Sequence, residues 1–150
     1  MMDFNLAKKN YLLASLGDEE LKRIVTNSEI VSLELGEAIY ESGDRIDYAY
    51  FPATAVISML YIMENGSTAE IGIVGNDGML GISLILGGDS TTSRAVIQGA
   101  GDALRLRPAD VRAEFSRAGR FQDLLLRYTQ ALMTQISQTA VCNRLHAVDQ

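Results

Sequence analysis

Alternating apolar and polar residues occupy the middle of the chain and predict a series of short β-strands. Ile30 to Leu35 alternates, with Val31, Leu33 and Leu35 on the face that we expect to be buried, which is the period of a half-buried strand. Two β-rich runs, 55–63 and 68–74, flank Asn65-Gly66, a dipeptide typical of tight hairpins because both turn positions need positive φ. Further strands are predicted at 38–41, 47–51 (ended by Pro52), 91–98 and 103–107. Many short strands with closely spaced turns indicate a sandwich or barrel rather than a parallel sheet.

Helical patterns lie on both sides of this region and at one place within it. Apolar residues of 4–16 recur at loose helical spacing, and a second short helix is predicted after Gly17, with acidic residues in its first turn. Met79 to Leu86 is apolar on all sides and flanked by glycines, which predicts a short buried helix. Pro108 is well placed to begin another helix over 109–117.

The end of the chain predicts one long helix. From Arg120 to Gln150 there is no glycine or proline and there are only five charged residues, so the helix would be roughly 45 Å long. One apolar stripe contains Phe121, Leu125, Tyr128, Leu132, Ile136 and Ala140, and the other contains Leu126, Met133, Val141, Leu145 and Val148. Because a helix with two apolar faces has two partners, we expect one stripe to pack on the strands and the other on a second copy of the chain, in a two-fold homodimer. The alternative is a helix wholly buried in its own domain.

Composition and charge narrow the class of protein. The chain has 150 residues, of which 47% are hydrophobic and 21% charged, as in an ordinary globular domain. Its net charge is −6, which argues against a nucleic-acid-binding surface. No apolar run approaches the length of about 18 residues that a membrane span needs, and no signal peptide opens the chain. A cytoplasmic protein without membrane contact is the simplest expectation.

Single copies of cysteine and histidine limit the chemistry further. Cys142 has no partner for an internal disulfide, and His146 is the chain's one histidine, so multi-cysteine and multi-histidine metal sites are not predicted. The sequence also contains no nucleophile elbow of the Gly-x-Ser-x-Gly type. We therefore predict a chain that is not an enzyme and has no identified metal or cofactor.

One motif and the order of elements connect the chain to a known family. Gly36-Glu37-Ala38-Ile39-Tyr40-Glu41-Ser42-Gly43-Asp44 is similar to a G-x-x-[IL]-[YF]-x-x-G-[DE] turn motif, and Tyr50-Phe51 follows at the usual distance. Together with the glycine-flanked segment and the long helix, these residues resemble the effector domain of the CRP/FNR transcription regulators. The resemblance implies a mainly β fold with helices, a double-stranded β-helix (jelly roll) of about eight strands. It would be of the cyclic-nucleotide-binding-domain type over residues 1–118, and the dimerisation helix would follow over residues 119–150.

The resemblance also implies a ligand pocket at residues 78–95, where the family keeps its phosphate-binding cassette. In members that bind cyclic nucleotides, the cassette opens Gly-Glu and closes Arg-[Ser/Thr]-Ala, so that the glutamate holds the ribose and the arginine holds the phosphate. Here Ile82 follows the opening glycine, and neither closing register places Arg94 first. Two adjacent helix hydroxyls usually cover the purine, and Ile136-Ser137 supplies one. The candidate pocket residues are Gly81, Ile82, Ser83, Thr92, Ser93, Arg94, Ala95 and Ser137, and the dimer-helix residues are Phe121, Leu125, Tyr128, Leu132, Met133, Ile136 and Ala140.

The leading interpretation is the ligand-sensing and dimerisation domain of a CRP/FNR-like regulator whose altered cassette does not bind cAMP in the usual way. Binding of a small anionic effector of unknown identity is left open. DNA contact is expected only through a C-terminal helix-turn-helix domain, and because this chain ends at Gln150 we expect that domain to be absent here. Three alternatives remain: a genuine cyclic-nucleotide-binding domain that uses Arg94 after a strand bulge, a regulatory roll from a kinase or channel, and a cupin-like metalloenzyme.

Overall fold

The computed structural model describes the backbone of residues 4–148 and the side chains of residues 4–139. The helices in this range are α1 (Phe4–Ala7), α2 (Tyr11–Ala14), α3 (Asp18–Thr26), α4 (Pro108–Phe115) and α5 (Arg120–Val148). The strands are β1 (Glu29–Leu33), β2 (Ala38–Tyr40), β3 (Ala49–Pro52), β4 (Val56–Ile62), β5 (Thr68–Val74), β6 (Arg94–Gly99) and β7 (Gly101–Leu106). No helix in the described range combines the length and apolar character needed to cross a bilayer.

Two antiparallel sheets form the roll. One has the strand order β1-β7-β3 and the other has the order β2-β6-β4-β5. Both sheets supply buried side chains to one hydrophobic cluster, with Phe51 and Leu104 from the first and Ile57 and Ile97 from the second. The predicted mainly β jelly roll followed by a helix is thereby confirmed. The described residues form seven strands rather than eight, and two isolated bridges, Arg45↔Ser90 and Tyr50↔Leu80, extend the pairing.

The hairpin predicted at Asn65-Gly66 is confirmed, but its turn differs from the prediction. β4 and β5 pair in antiparallel register from Ile57↔Val74 to Ile62↔Thr68. Gly66 has φ +87°, whereas Asn65 is not among the described residues with positive φ, so the two-residue turn with positive φ at both positions is wrong. The loop is closed by hydrogen bonds from Met63 N to Ser67 O and from Gly66 N to Met63 O. One left-handed glycine after an ordinary turn suffices for this longer loop.

The buried helix predicted over Met79–Leu86 is also wrong, because the segment forms only a short 3-10 turn, Ile82–Leu84. Leu80 instead pairs with Tyr50 through two backbone hydrogen bonds of 3.0 and 2.8 Å. Gly81 follows with φ +109°, a left-handed conformation that no α-helix can include. The glycine therefore separates an extended residue from a single helical turn.

Several predicted strand and helix limits move for local reasons. β6 begins at Arg94 rather than at residue 91, because the Thr91 side chain accepts a hydrogen bond from the Ser93 backbone and holds a turn there. Pro52 belongs to β3 instead of ending it, which an edge strand tolerates. Leu35, predicted to face inward, lies beyond the end of β1 and is 72% exposed. The helix predicted over 109–117 begins at Pro108 and ends at Phe115.

The N-terminal helices are tied to the roll and to α5 by named polar contacts. Buried Asn10 caps α2, and its side-chain amide donates to Pro52 O and Gly78 O at 2.9 Å each. On α3, the Glu20 carboxylate accepts a 3.0 Å hydrogen bond from the Phe121 backbone at the start of α5. These contacts fix the direction in which the long helix leaves the roll.

One face of α5 packs on the roll of the same chain. Phe121 and Leu125 are fully buried, and the Phe121 ring lies 6.2 Å from the Phe51 ring, centroid to centroid. Leu126 and Met133, from the second predicted stripe, are 48% and 59% exposed. Over the described part of α5, the alternative of a helix wholly buried in its own domain is therefore wrong.

Candidate functional site

Residues 81–84 of the cassette form a glycine-led 3-10 turn, which we call the cassette turn. A half-open cavity of about 90 Å³ lies beneath it. Strands β2 and β4, the cassette, the turn before β6 and helix α5 all contribute to its walls. Its lining residues are Tyr40, Met59, Met79, Leu80, Gly81, Ile82, Ser83, Thr91, Ser93 and Leu132. Four of the eight predicted pocket residues line this cavity, and the cavity adds six residues that the prediction did not assign to the pocket.

The cassette turn places three of the predicted residues at the cavity. Gly81 is buried in its left-handed conformation, and a Cβ at this position would meet the Ala49 backbone at 3.3 Å. Close approach and positive φ both favour glycine here. Ile82 and Ser83 follow as half-buried lining residues. At the residue after Gly81, the cavity is thus lined by a branched alkyl group and not by a carboxylate.

A cluster of hydroxyl groups forms the polar part of the cavity, and we call Tyr40, Thr91 and Ser93 the hydroxyl cluster. The hydroxyls of Thr91 and Ser93 are 3.1 Å apart, and the Tyr40 hydroxyl is hydrogen-bonded to both. Tyr40 and Ser93 are 9% and 6% exposed. Burial raises the pKa of Tyr40, and the hydrogen bonds to Thr91 and Ser93 oppose that rise only in part. The phenol therefore stays neutral at physiological pH.

Arg94 faces away from the cavity. Its neighbours Ser93 and Ala95 are buried, and strand alternation turns the residue between them to the other side. The Arg94 guanidinium forms an ion pair with Glu41, with Nε 2.8 Å from the nearer carboxylate oxygen. Ala95 is fully buried opposite Met59, and Thr92 is exposed, with its carbonyl accepting from the Ser42 hydroxyl.

No charged side chain lines this cavity among the described residues. Arg45 lines a separate cleft of about 160 Å³, which shares Tyr40 with the cavity. No group of three or more His, Cys, Asp or Glu residues that could hold a metal ion occurs in the described range. Cys142 and His146 lie outside the described side chains.

Helix α5 closes one side of the cavity through Leu132, which is 6% exposed. Ser137, predicted to cover a purine, is exposed and is not among the lining residues. Ile136 is half-buried, and its side chain lies against β5 at Gly72. The residue that the helix presents to the cavity is therefore apolar and lies about one turn before the predicted hydroxyl.

Tyr128 holds α5 to the segment that leads into the cassette. Its side chain is packed against Gly78, where an added Cβ would meet Tyr128 Cε1 at 2.5 Å. Its hydroxyl is hydrogen-bonded to the backbone of Met79, and burial raises its pKa to about 12. This contact links the position of the helix to the position of the cassette.

The predicted dimer-helix residues divide into three groups. Phe121, Leu125, Tyr128, Leu132 and Ile136 pack on the roll of the same chain. Met133 is exposed and belongs, with Leu126, to the opposite face. Ala140 lies beyond the described side chains. The free face in the described range is therefore carried by the second stripe.

Some site residues could have been found from the sequence and others could not. Tyr40 belongs to the turn motif, and its inward direction follows from its alternation with Ile39, so a signal was present. Thr91 carries no such signal, because its role depends on the turn that it forms with Ser93. Met59 and Met79 were assigned to a strand and a helix as ordinary core residues, and only the three-dimensional structure places them at one cavity.

The two antiparallel sheets, the glycine-led cassette turn and the long helix behind it define a β-roll with a cavity between the roll and the helix. Residues 30–118 match the family model described as "Cyclic nucleotide-binding domain", which is more than half of the chain. The chain therefore belongs to the cyclic nucleotide-binding domain family. No curated protein sequence matches it.

Solved structures with this fold include regulators of transcription and of a kinase. The N-terminal domain of a transcriptional regulator from Streptomyces coelicolor A3(2) is 18% identical, with TM-score 0.64 over 87% of this chain and 93% of the other. Thermus thermophilus catabolite activator protein is 19% identical, with TM-score 0.64 over 92% of this chain and 62% of the other. The regulatory subunit of a cAMP-independent protein kinase A from Trypanosoma brucei is 14% identical, with TM-score 0.71 over 84% and 45%. The chain thus spans less than two thirds of the last two proteins. The predicted resemblance to the effector domain of CRP/FNR regulators is confirmed at the level of the domain family and of the fold.

Proposed function

We propose that this chain is the ligand-sensing and dimerisation domain of a CRP/FNR-like transcription regulator whose cassette does not bind cAMP in the usual way. The roll at residues 1–118 would sense the ligand, and the helix at 119–150 would join two copies. The observation that carries the proposal is the cavity beneath Gly81, which has no cation in its described lining because Arg94 is turned outward to Glu41. The role is regulatory rather than catalytic, and any DNA contact would belong to a helix-turn-helix domain rather than to this roll and helix.

The cost to a cyclic nucleotide can be worked out from the contacts it would lack. A charge-assisted hydrogen bond to the phosphate contributes about 1.5–3 kcal/mol, and a ribose hydroxyl buried without an acceptor at Ile82 costs about 1–3 kcal/mol. Together these deficits weaken binding by about two to four decades in Kd. The cavity of about 90 Å³ is also small beside ligand pockets, which are typically about 300 Å³ or larger.

Isothermal titration with cAMP and cGMP tests this part of the proposal. We expect no Kd below about 10 μM, a free energy of binding near −7 kcal/mol on the usual scale. Tighter binding would contradict the proposal and favour a genuine cyclic-nucleotide domain. Arg94→Ala and Arg45→Ala would then identify the phosphate partner, since Arg94 is the alternative's candidate and Arg45 lines the neighbouring cleft.

The dimer part of the proposal is supported by the exposed face of α5. Leu126 and Met133 are seven residues apart, so they lie on the same side of the helix, and each is about half exposed. Two-fold pairing through such a face is the commonest way in which a chain covers it. Leu132, in contrast, is buried against the roll, so a charge there would disturb the domain itself.

Light scattering at micromolar concentration tests the dimer with a matched pair of variants. Met133→Glu places a charge on the exposed apolar face and is expected to give monomers with unchanged strand content. Ala131→Glu adds the same charge at an exposed position about 160° around the helix, and is expected to remain dimeric. A wild-type chain that is already monomeric, or a Met133→Glu variant that stays dimeric, would overturn this part.

A further inference from the structure

We infer that the cavity lined by the hydroxyl cluster binds a small uncharged molecule that carries a hydrogen-bond donor, such as a short alcohol or amide. The inference rests on the proposed function, because it names the class of ligand for the same site. It goes beyond that proposal, since a site that rejects cyclic nucleotides need not accept anything else.

The hydrogen-bonding capacity of the hydroxyl cluster sets the polarity of the ligand. Each hydroxyl has one donor and two acceptor lone pairs. The Thr91 and Ser93 hydroxyls lie 3.1 Å apart, the Tyr40 hydroxyl lies beside them, and the Ser93 backbone N–H donates to Thr91 Oγ1. Three hydroxyls and this N–H supply four donors against six lone pairs, so lone pairs are left over whichever way the hydroxyl protons point. A ligand O–H or N–H can use this surplus of acceptors, whereas an anion must take donors away from the bonds within the cluster.

Charge is disfavoured on a second, independent ground. The lining contains no charged side chain, and Arg94 is occupied by Glu41. An ion that enters such a site loses its water without gaining a counter-charge, so it pays a large desolvation cost. An ammonium group could donate to the hydroxyls but would still be unpaired. An uncharged donor meets neither penalty.

The rest of the lining sets the size and shape. Met59, Met79, Leu80 and Leu132 provide apolar walls around the hydroxyls, and half-buried Ser83 adds one more polar group. A volume of about 90 Å³ is smaller than the roughly 150 Å³ cavity that takes up benzene, so it suits about four non-hydrogen atoms. Methionine side chains are flexible and can yield to a somewhat larger ligand.

Four probes of four non-hydrogen atoms each separate these requirements: 2-propanol, acetone, acetate and isopropylammonium. The readout is the NMR spectrum of the full chain with labelled methionine methyl groups. Met59 and Met79 line the cavity, whereas Met63 is exposed elsewhere and serves as an internal control. For ligands this small we expect Kd values in the millimolar range. We expect 2-propanol to shift the Met59 and Met79 signals saturably. It should bind several-fold more tightly than acetone, which lacks a donor, and at least tenfold more tightly than the two ions.

Two variants locate the effect at the hydroxyl cluster. Tyr40→Phe keeps the ring and removes one hydroxyl, and is expected to weaken 2-propanol binding several-fold; Ser93→Ala repeats the test at a smaller side chain. Arg94→Ala changes the neighbouring, outward-facing residue and is expected to leave binding unchanged. Equal binding of acetate and 2-propanol, or no saturable shift of Met59 and Met79 with any probe, would overturn the inference. If the chain is still a dimer without affinity for cAMP, only the inference fails; a tight cAMP complex would overturn the proposed function as well.

Discussion

Gly78→Ala should displace α5 from the cassette, and the reason is a single steric contact. A Cβ at Gly78 would lie 2.5 Å from Tyr128 Cε1 and 2.6 Å from Tyr128 Cζ, closer than side chains approach one another. Tyr128 cannot move freely, because it is largely buried and hydrogen-bonded to Met79. Overpacking of this kind costs about 1–3 kcal/mol, so we expect the free energy of unfolding to fall by that amount.

A double-mutant cycle isolates the contact. In a Tyr128→Ala background the obstructing ring is absent, so Gly78→Ala should cost less than about 0.5 kcal/mol, and the coupling energy should be about 1–3 kcal/mol. Gly75→Ala is the matched control in the same turn, since a Cβ there meets only Asp77 Oδ1 at 3.7 Å. The assay is urea denaturation followed by circular dichroism at one fixed protein concentration, because association would shift the apparent stability. Equal costs for Gly78→Ala in both backgrounds, or equal costs for Gly78→Ala and Gly75→Ala, would refute the reasoning.

Two further predictions concern the attachment of α5. Burial raises the pKa of Tyr128 from 10 to about 12, so the neutral phenol stabilises the folded chain fully below pH 10, and this stabilisation is lost as the pH rises through 12. We expect the free energy of unfolding to fall by about 2–3 kcal/mol over that range, and we expect Tyr128→Phe not to show this fall. Denaturation measured across the same pH range tests the prediction. Glu20→Ala removes the acceptor for the Phe121 N–H at the start of α5 and should destabilise the chain by about 1 kcal/mol. Glu19→Ala, one residue earlier and exposed, should have little effect on the same denaturation curve, and equal effects of the two variants would contradict the capping role.

Much of the roll follows from local rules that the sequence displays directly. The Asn65-Gly66 hairpin needs only two β-rich runs and a turn glycine, and it was predictable; the β4–β5 register, which shifts between Met59 and Leu60, was not. The Met79–Leu86 segment was not, since its composition suits a buried helix equally well. There, long-range pairing of Leu80 with Tyr50 and the left-handed Gly81 decide the outcome. The hydrophobic pattern of the segment predicts neither this pairing nor the left-handed glycine.

The direction of Arg94 is the part of the site that sequence alone could not settle. The resemblance to the family leaves two possible alignments for the residues that close the cassette. A shift of one residue between them turns a strand side chain to the opposite face. The Thr91–Ser93 turn delays the start of β6 until Arg94, with Ser93 and Ala95 directed inward and the arginine directed towards Glu41. A side-chain-to-backbone hydrogen bond two residues away thus sets the charge of the pocket.

Leu132 and Met133 show why the candidate ligand site and the proposed dimer face should influence each other. They are adjacent on α5, about 100° apart around the helix axis. One lines the cavity at 6% exposure, and the other lies on the free face at 59% exposure. Because the helix backbone between them is rigid, a ligand that pushes Leu132 must rotate or shift Met133 as well, unless Tyr128 holds the helix in place against the Met79 backbone. The strength of the Tyr128 contact therefore sets how far a ligand that pushes Leu132 also displaces Met133. Tyr128→Phe removes the hydroxyl of that contact and should increase the displacement of Met133.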